Sequence, residues 1–300
     1  FDIFSLESSL YKNGKVDQIV EKLIKNGHTY EKDGALWLKT TNFGDDKDRV
    51  MKKSDGDFTY FVPDIAYHLD KWTRGFIKVI NEQGADHHST ISRVRAGLQG
   101  LNKNIPKDWP EYVLHQMITV MKDGVEVKIS KRAGSYVTLK DLIDEVGCDA
   151  TRYFLAARRA DSQLIFDIDL AKSRNNDNPV YYIQYAHARV EGVLNQWEGD
   201  RNTLYINAPH PFETQAEKKL IKRISEFPEV VVQATNELAP HQITNFLKDC
   251  AADLHSYYND SKFLVDDELT KKTRLALIYA TQCVIKNGLA LLGITAPKKM

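Results

Sequence analysis

The chain has 300 residues, of which 42% are hydrophobic and 27% charged, an ordinary composition for a globular protein, and its length predicts two domains. Its 41 basic and 41 acidic residues cancel to a formal net charge of zero. Bulk positive charge is therefore excluded as a means of binding nucleic acid, and any such partner must be met by local patches. No apolar run approaches the roughly 18 residues of a membrane-spanning helix.

The three cysteines, Cys148, Cys250 and Cys283, lie far apart along the chain. They form no Cys-x-x-Cys pair or Cys/His cluster, so no zinc site is predicted. Free thiols of this kind fit a protein of the reducing cytoplasm.

The N-terminal part combines a helical pattern with a hairpin. Apolar residues at helical spacing in residues 16–26, followed by Gly27, predict a helix. Residues 28–30 and 35–38 flank Lys-Asp-Gly, which is typical of a hairpin turn. The charged stretch 44–49 is interpreted as a solvated loop, as charge runs usually are.

From residue 60 onward the pattern is that of an α/β layer. Residues 65–72 predict a short helix, and residues 76–80 predict a buried strand. Ser89 is placed to cap a further helix that runs to about Leu101.

A strand is predicted at residues 112–121, and Asp123-Gly124 turns it back into a second strand at 125–129. Strand, helix and strand in this order predict a parallel layer, of which the chain holds about half.

Beyond Gly147 the chain becomes helical. Residues 150–159 predict one helix, and the Asn- and Pro-containing residues 174–179 predict a linker, which places a domain boundary near residue 175. Apolar stripes predict three more helices, the last of them central in a bundle, at residues 183–197, 243–257 and 273–292.

Tyr60 and Asp64 lie one helical turn apart and form a candidate site for a planar cation. A carboxylate binds a guanidinium through two parallel hydrogen bonds, and a phenol can stack on it or hydrogen-bond to it. The alternative is that Asp64 only stabilises a helix N-terminus and that Tyr60 is a core aromatic residue. The sequence leaves both interpretations open.

Residues 84–88 (Gly-Ala-Asp-His-His) follow the strand predicted at 76–80. Turns at the carboxyl ends of parallel strands are where nucleotides bind. The adjacent His87 and His88 point apart, so they are a poor metal-binding pair. Neither Gly-x-Gly-x-x-Gly nor a P-loop sequence occurs, which disfavours a Rossmann dehydrogenase and a P-loop NTPase.

Residues 128–134 (Lys-Ile-Ser-Lys-Arg-Ala-Gly) put two lysines and a serine in a short polar loop after the second hairpin. Such lysines can stabilise the negative charge that develops on a leaving pyrophosphate. A solvated loop is again the alternative, because short lysine-rich sequences are common.

Taken together, these segments resemble the class I arginyl-tRNA synthetases over nearly the whole chain. Residues 128–134 are similar to the family's KMSKS loop, and residues 178–189 (Asn-Pro-Val-Tyr-Tyr-Ile-Gln-Tyr-Ala-His-Ala-Arg) resemble the start of its anticodon-binding bundle. Further similar segments follow in family order, at residues 33–38, 45–50, 60–68, 84–88, 147–154, 254–259 and 292–297.

The resemblance implies ATP-dependent ligation of arginine to tRNA(Arg) through arginyl-adenylate. ATP with Mg²⁺, L-arginine and tRNA(Arg) are the implied substrates of a monomeric cytoplasmic enzyme with no structural metal and no membrane partner. The implied fold is α/β plus all-α, a partial parallel Rossmann-type catalytic layer followed by a helical anticodon-binding bundle. The domains expected are a catalytic insertion, the second half of the catalytic domain, a KMSKS-like and stem-contact region, and the bundle, at residues 1–58, 59–125, 126–175 and 176–300.

The family's residue roles carry over to matching positions. The resemblance implies catalytic residues Lys128, Ser130 and Lys131, arginine-binding residues Tyr60, Asp64 and His68, ATP-binding residues Gly84, Asp86, His87, His88 and Ile129, and tRNA-binding residues Gln184, Tyr185, Arg189, Tyr258, Asn259 and Met300. Many arginyl enzymes lack the second lysine of the KMSKS loop, which Lys131 supplies here. For Tyr258 the alternative is packing inside the bundle.

One departure from the family is the absence of its His-Ile-Gly-His motif and of its N-terminal tRNA-binding domain. We expect both to lie upstream of Phe1, and we expect the isolated 300 residues not to form arginyl-adenylate. A non-catalytic tRNA-binding module and an unrelated helical scaffold are the alternative functions. A cysteinyl-tRNA synthetase would need zinc ligands, which the scattered cysteines do not supply.

Overall fold

The computed structural model describes residues 1–127, 138–205 and 212–300. The chain folds as two compact units, Phe1–Gln116 and Met117–Met300. Each unit has its own hydrophobic core.

The first unit begins with two helices and an antiparallel sheet of order β1-β2-β3. These elements are α1 (Glu7–Lys12), α2 (Lys15–Lys25), β1 (Thr29–Lys32), β2 (Ala35–Leu38) and β3 (Arg49–Lys52). The predicted helix and hairpin are confirmed. Asp33 and Gly34 adopt φ angles of 54° and 73°, the left-handed conformation that a tight two-residue hairpin turn requires.

A parallel strand pair with two helices completes this unit. Its elements are α3 (Phe61–Thr73), β4 (Ile80–Gly84), α4 (His88–Gly100) and β5 (Glu111–His115). The strand predicted at residues 76–80 is wrong, because Phe76 and Ile77 are 48% and 84% exposed and β4 begins at Ile80, opposite Glu111. Hydrogen-bond pairing with β5, rather than the apolar run, sets where the strand starts.

Two further predictions in this region are corrected. Ser89 is not the cap of α4, because it lies inside the first turn and its Oγ accepts a hydrogen bond from Arg93 Nη2 at 2.7 Å. The strand predicted at residues 112–121 is two strands, since pairing with β4 ends at His115 and a strand of another sheet begins at Ile118.

The charged stretch 44–49 is not a solvated loop throughout, because the Asp45 side chain is 1% exposed. Its carboxylate accepts hydrogen bonds from Arg49 Nε at 2.7 Å, from Arg49 Nη2 at 2.9 Å and from Ser92 Oγ at 2.8 Å. Arg49 starts β3 and Ser92 belongs to α4. This buried ion pair therefore ties the antiparallel sheet to α4 within the first unit.

The second unit opens with a small mixed sheet of order β7-β6-β8, in which β6 and β8 are parallel. This part contains β6 (Ile118–Lys122), β7 (Val125–Glu126), α5 (Leu139–Val146), α6 (Cys148–Ala156), β8 (Leu164–Asp167) and α7 (Ile168–Lys172). The predicted turn at Asp123-Gly124 is confirmed, with φ angles of 52° and 72°. The helix predicted at residues 150–159 is observed, but it ends at Ala156.

A helical bundle follows, made of α8 (Pro179–Gln196), α9 (Gln215–Ser225), α10 (Phe227–Asn236), α11 (His241–Asp260) and α12 (Glu268–Leu291). The three helices predicted from apolar stripes are confirmed as α8, α11 and α12. Residues of these helices form its core, among them Ile183, Leu247, Tyr257 and Ile278. Within the described part of the chain, no helix is both long and apolar enough to span a membrane.

Asn178 fixes the start of the bundle. Its buried amide caps α8 by accepting hydrogen bonds from the backbone N–H groups of Val180 and Tyr181. The same side chain donates to the carbonyl oxygens of Ala171 and Ser173, at 3.1 and 2.8 Å. One side chain thus joins α7 to α8 through the linker predicted from the sequence.

The substitution Asp45→Asn should lower the free energy of unfolding by about 3 kcal/mol, because Arg49 would keep its charge without a full partner. Burial alone would raise the pKa of Asp45, but hydrogen bonds from Arg49 and Ser92 hold that pKa well below its usual range. A carboxyl group whose pKa is lowered in the folded state stabilises the fold at pH values above its ordinary pKa near 4. This stabilisation is lost as the pH falls through the lowered pKa. Wild-type stability should therefore fall more steeply than variant stability below about pH 5.

Urea unfolding monitored by tryptophan fluorescence measures both effects. Asp46→Asn is the matched control, because Asp46 also pairs with Arg49 but its side chain is 71% exposed. The control should cost no more than about 1 kcal/mol. Equal losses for the two variants would contradict the structural role of the buried pair.

Candidate functional site

An acidic cavity of about 250 Å³ opens beside the first turn of α3. Three carboxylates line it, those of Glu7, Asp64 and Asp70. Asp70 is compensated by ion pairs with Lys15 and Arg74. In the described residues, Glu7 and Asp64 have no ion pair, so the cavity carries unpaired negative charge.

The electrostatics of Asp64 suit a cationic ligand. Burial raises the pKa of Asp64, and the negative charge of Glu7 raises it further. The positive charges of His87, Lys71 and Arg93 act in the opposite direction. A guanidinium in the cavity would supply the missing positive charge and could donate hydrogen bonds to both oxygens of the Asp64 carboxylate.

Tyr60 lies at the N-cap position of α3 and is 87% exposed. The interpretation of Tyr60 as a core aromatic residue is therefore wrong. Its side chain does not line the acidic cavity, although it lies one turn before Asp64.

His68 is buried and supports the backbone of Asp64 instead of lining the cavity. Its Nδ1 donates to the Asp64 carbonyl oxygen at 2.7 Å, and its Nε2 accepts from Asn81 Nδ2 at 2.7 Å. Lys71 Nζ donates in turn to Asn81 Oδ1 at 3.0 Å. This chain of hydrogen bonds holds the first turn of α3 against β4.

Four of the five residues predicted to bind ATP lie at the carboxyl end of β4. Gly84 ends the strand, Asp86 and His87 form a 3₁₀ turn, and His88 begins α4. The imidazole of His87 lies 3.8 Å from the Asp86 carboxylate, and both side chains are exposed. Because His87 also acts electrostatically on Asp64, this turn and the acidic cavity lie near each other within the first unit.

The predicted catalytic residues Lys128, Ser130 and Lys131 and the predicted ATP-binding residue Ile129 lie outside the described residues. Across residues 1–127, 138–205 and 212–300, no group of three or more His, Cys, Asp or Glu side chains is arranged to hold a metal ion.

In the second unit, α8 and α11 bring four of the predicted tRNA-binding residues together. We call Tyr185, Arg189, Tyr258 and Asn259 the Arg189 cluster. The Arg189 guanidinium carbon lies 3.7 Å from the ring centre of Tyr258 and 5.5 Å from that of Tyr185. Arg189 Nη2 also donates to Asn259 Oδ1 at 3.1 Å.

The Arg189 cluster combines a cation with exposed aromatic surface. Tyr185 is partly exposed and stacks on Tyr181, with ring centres 6.2 Å apart and an interplanar angle of 17°. Aromatic rings and an arginine on one surface are the groups on which the bases of single-stranded nucleic acids stack. Tyr258 also packs against Phe263, with ring centres 5.3 Å apart. Packing of Tyr258 inside the bundle is therefore compatible with its contact to Arg189.

Two predicted tRNA-binding residues lie apart from this cluster. Gln184 donates hydrogen bonds to Asp149 Oδ2 at 2.8 Å and to the Thr295 carbonyl oxygen at 2.9 Å, and so joins three segments of the unit. Met300 is exposed at the last position, and no described contact connects it to the Arg189 cluster.

Sequence reasoning missed Glu7, Asn81 and His255. Glu7 looks like an ordinary acid in the first turn of a short helix, and Asn81 is a polar residue inside a strand. Their roles depend on partners distant in sequence, which local patterns do not identify. His255 belonged to a segment that resembled the family, but nothing in its spacing pointed to Arg189.

Comparison with known proteins identifies the family. Residues 1–172 match the family model described as "tRNA synthetases class I (R), catalytic domain". The chain belongs to the class I arginyl-tRNA synthetase family. Residues 183–300 match the DALR anticodon binding domain. The predicted resemblance and fold class, a parallel class I catalytic layer followed by a helical bundle, are confirmed.

Curated relatives carry the same family name. The arginine–tRNA ligases of Geobacter metallireducens and Thiobacillus denitrificans are 60% and 59% identical to this chain over its whole length. In both, the matched part is 54% of the relative. The chain thus spans about half the length of these curated synthetases.

Solved structures of synthetases have a similar fold. A putative arginyl-tRNA synthetase from Campylobacter jejuni is 34% identical with a TM-score of 0.91, covering 100% of this chain and 65% of that one. The Thermus thermophilus arginyl-tRNA synthetase is 22% identical with a TM-score of 0.76, covering 96% of this chain and 58% of that one. A Mycobacterium tuberculosis methionyl-tRNA synthetase is 14% identical with a TM-score of 0.72, covering 97% of this chain and 74% of that one. The last two similarities show the fold alone.

The substitution His68→Leu should lower the free energy of unfolding by about 1–3 kcal/mol at pH 7.5, because the Asn81 amide and the Asp64 carbonyl lose their partner. Burial lowers the pKa of His68, so folding favours its neutral form. The stabilisation that the neutral imidazole provides is present at pH values above the ordinary histidine pKa near 6.5 and is lost as the pH falls below that value. The difference between wild type and variant should therefore shrink between pH 7.5 and pH 5.

Urea unfolding at a series of pH values tests this prediction, with His115→Leu as the control, because His115 is exposed on β5. A difference that stays constant over this pH range would show that the neutral imidazole is not what stabilises α3.

Proposed function

We propose that these 300 residues are part of an enzyme that ligates arginine to tRNA(Arg) with ATP, through arginyl-adenylate. The observation that carries the proposal is the unpaired charge of Asp64 and Glu7 in a cavity near the turn at residues 84–88. This cation-binding site lies inside a segment that matches the catalytic domain of class I (R) synthetases.

In the proposed complex, Asp64 accepts the guanidinium of arginine through two hydrogen bonds, and Glu7 adds a second negative charge. Tyr60 is exposed one turn earlier and does not line the cavity, so we propose that it reaches the planar cation from the mouth of the cavity, by stacking or through a hydrogen bond. His68 acts through the backbone of Asp64, because its side chain is buried behind the cavity. A neutral amino acid of similar size would leave both carboxylates unpaired, so the cavity selects for charge.

Gly84, Asp86, His87, His88 and Ile129 are proposed to bind ATP, which enters as the substrate together with Mg²⁺. The carboxylate of arginine attacks the α-phosphate of ATP, a new oxygen–phosphorus bond forms, and pyrophosphate leaves. Lys128, Ser130 and Lys131 are proposed to stabilise the charge on that leaving group. No nucleophile from the protein is needed.

The Arg189 cluster is the proposed contact with tRNA(Arg), and Gln184 and Met300 are proposed to extend it. A chain of zero formal net charge has to bind RNA through local groups, and Arg189 is such a group. We also propose that the enzyme is a cytoplasmic monomer, with the predicted domains at residues 1–58, 59–125, 126–175 and 176–300.

A non-catalytic tRNA-binding module derived from a synthetase is the second candidate function. The Arg189 cluster favours this second candidate, because binding of tRNA by the cluster would not require ATP. However, such a module would gain nothing from the unpaired carboxylates of Glu7 and Asp64, which lower stability unless a cation binds.

The test uses a chimera in which these 300 residues replace the matching half of the Geobacter metallireducens ligase. Arginine-dependent ATP–pyrophosphate exchange is measured with tRNA(Arg) present. Asp64→Asn keeps the shape of the side chain but removes its charge, and it should reduce kcat/KM for arginine by about 100-fold or more. Asp17→Asn, an exposed acid on α2, should change kcat/KM by less than about threefold.

Exchange that is abolished by Asp64→Asn but not by Asp17→Asn would support the proposed arginine site. If the chimera binds tRNA but shows no exchange, the non-catalytic module is the better account. If Asp64→Asn and the control behave alike, arginine is bound elsewhere.

A further inference from the structure

His255 is a buried residue of α11 that packs against the surface of α8. It is 6% exposed, and its ring centre lies 4.4 Å from that of Tyr182 and 5.6 Å from that of Tyr185. Its two nitrogens are both engaged. Nε2 lies 3.1 Å from the Tyr182 carbonyl oxygen, and Nδ1 lies 3.0 Å from Arg189 Nη1.

The identities of these partners fix the protonation state of His255. A carbonyl oxygen only accepts hydrogen bonds, so Nε2 carries the proton and donates it. A guanidinium only donates, so Nδ1 accepts with its lone pair. His255 is therefore neutral and in a single tautomer. Burial lowers the pKa of His255, and the charge of Arg189 lowers it further, which is consistent with this assignment.

Arg189 is consequently held by neutral groups. His255 and Asn259 accept its hydrogen bonds, and Tyr258 packs against its face. No carboxylate forms an ion pair with Arg189 in the residues that the structure describes. The guanidinium is thus fixed in orientation while its positive charge remains available to a ligand.

A side chain that is ordered before binding loses less conformational entropy when the ligand arrives. Immobilising a long side chain costs conformational entropy, and preorganisation removes this cost from the binding step. An acid in place of His255 could also order Arg189, but it would neutralise the charge. A neutral acceptor orders the arginine without that loss.

We propose that His255 is a positioning residue for RNA binding, because it fixes Arg189 between Tyr185 and Tyr258 in the orientation that single-stranded RNA meets. This inference rests on the proposed function, in which the Arg189 cluster contacts RNA. His255 itself, being buried under the cluster, does not touch the ligand.

The experiment measures the affinity of the 300-residue chain for a fluorescein-labelled tRNA(Arg) transcript by fluorescence anisotropy at constant salt. His255→Phe keeps an aromatic ring against Tyr182 and Tyr185 but removes both hydrogen bonds. His255→Asn restores an acceptor near the position of Nδ1. Arg189→Met removes the charge, and the double variant His255→Phe/Arg189→Met completes the cycle.

His255→Phe should weaken binding by about tenfold, and His255→Asn should recover part of that loss. In the Arg189→Met background, His255→Phe should have little further effect, because His255 acts through Arg189. Phe246→Leu, a buried change on α11 that packs against Phe227, is the control for lost packing. It should leave the affinity unchanged, and urea unfolding confirms that each variant is folded.

Four results would overturn the inference. If Arg189→Met weakens binding but His255→Phe does so no more than Phe246→Leu, the proposed RNA surface stands and the role of His255 is rejected. Additive losses in the double variant would reject it as well. If Arg189→Met has no effect, or the wild-type chain binds no tRNA(Arg), both the inference and the proposed RNA surface fail.

Discussion

The unpaired carboxylate of Asp64 is the main constraint on the structure of the first unit, because the surrounding elements have to hold it in place. An anion in a partly buried site without a cation destabilises the fold. The α3 turn that carries it is fixed through the buried His68, which bonds to the Asp64 backbone and to Asn81. Glu7 makes the site more negative instead of compensating it. Such an arrangement lowers the stability of the fold, and the cation that we propose for this site would remove that penalty.

Asp45, in the same unit, is a carboxylate whose charge is compensated, in contrast to that of Asp64. Its side chain is only 1% exposed, but hydrogen bonds from Arg49 and Ser92 satisfy its carboxylate. The same contrast separates two arginines, because Arg49 is neutralised by acids whereas Arg189 is held by a histidine, an asparagine and a tyrosine ring. Compensated charges in this protein join elements of the fold, and charges that are ordered but uncompensated mark the candidate binding sites.

The helical bundle and the first hairpin could be predicted because their signals are local, an apolar stripe at helical spacing and a Lys-Asp-Gly turn. The errors concern pairing over long distances. The apolar run at residues 76–80 did not reveal that β4 starts at Ile80, and residues 112–121 did not reveal that two sheets divide them. Asp64 is a candidate from its residue type and from the resemblance to the family, and Arg189 is a candidate from the resemblance alone. Glu7 and His255 were not, because their partners lie far away in the sequence.

Transfer of arginine to tRNA is the most direct test of the proposed arginine site. The chimera with the Geobacter metallireducens ligase would be incubated with ATP, tRNA(Arg) and radiolabelled arginine or lysine, and acid-precipitable label would be counted. We predict that arginine is attached and that lysine is not, because a compact ammonium cannot form the two parallel hydrogen bonds that a planar guanidinium donates to the Asp64 carboxylate. Labelling with lysine at a comparable rate, or no labelling by a folded chimera that binds tRNA(Arg), would contradict it.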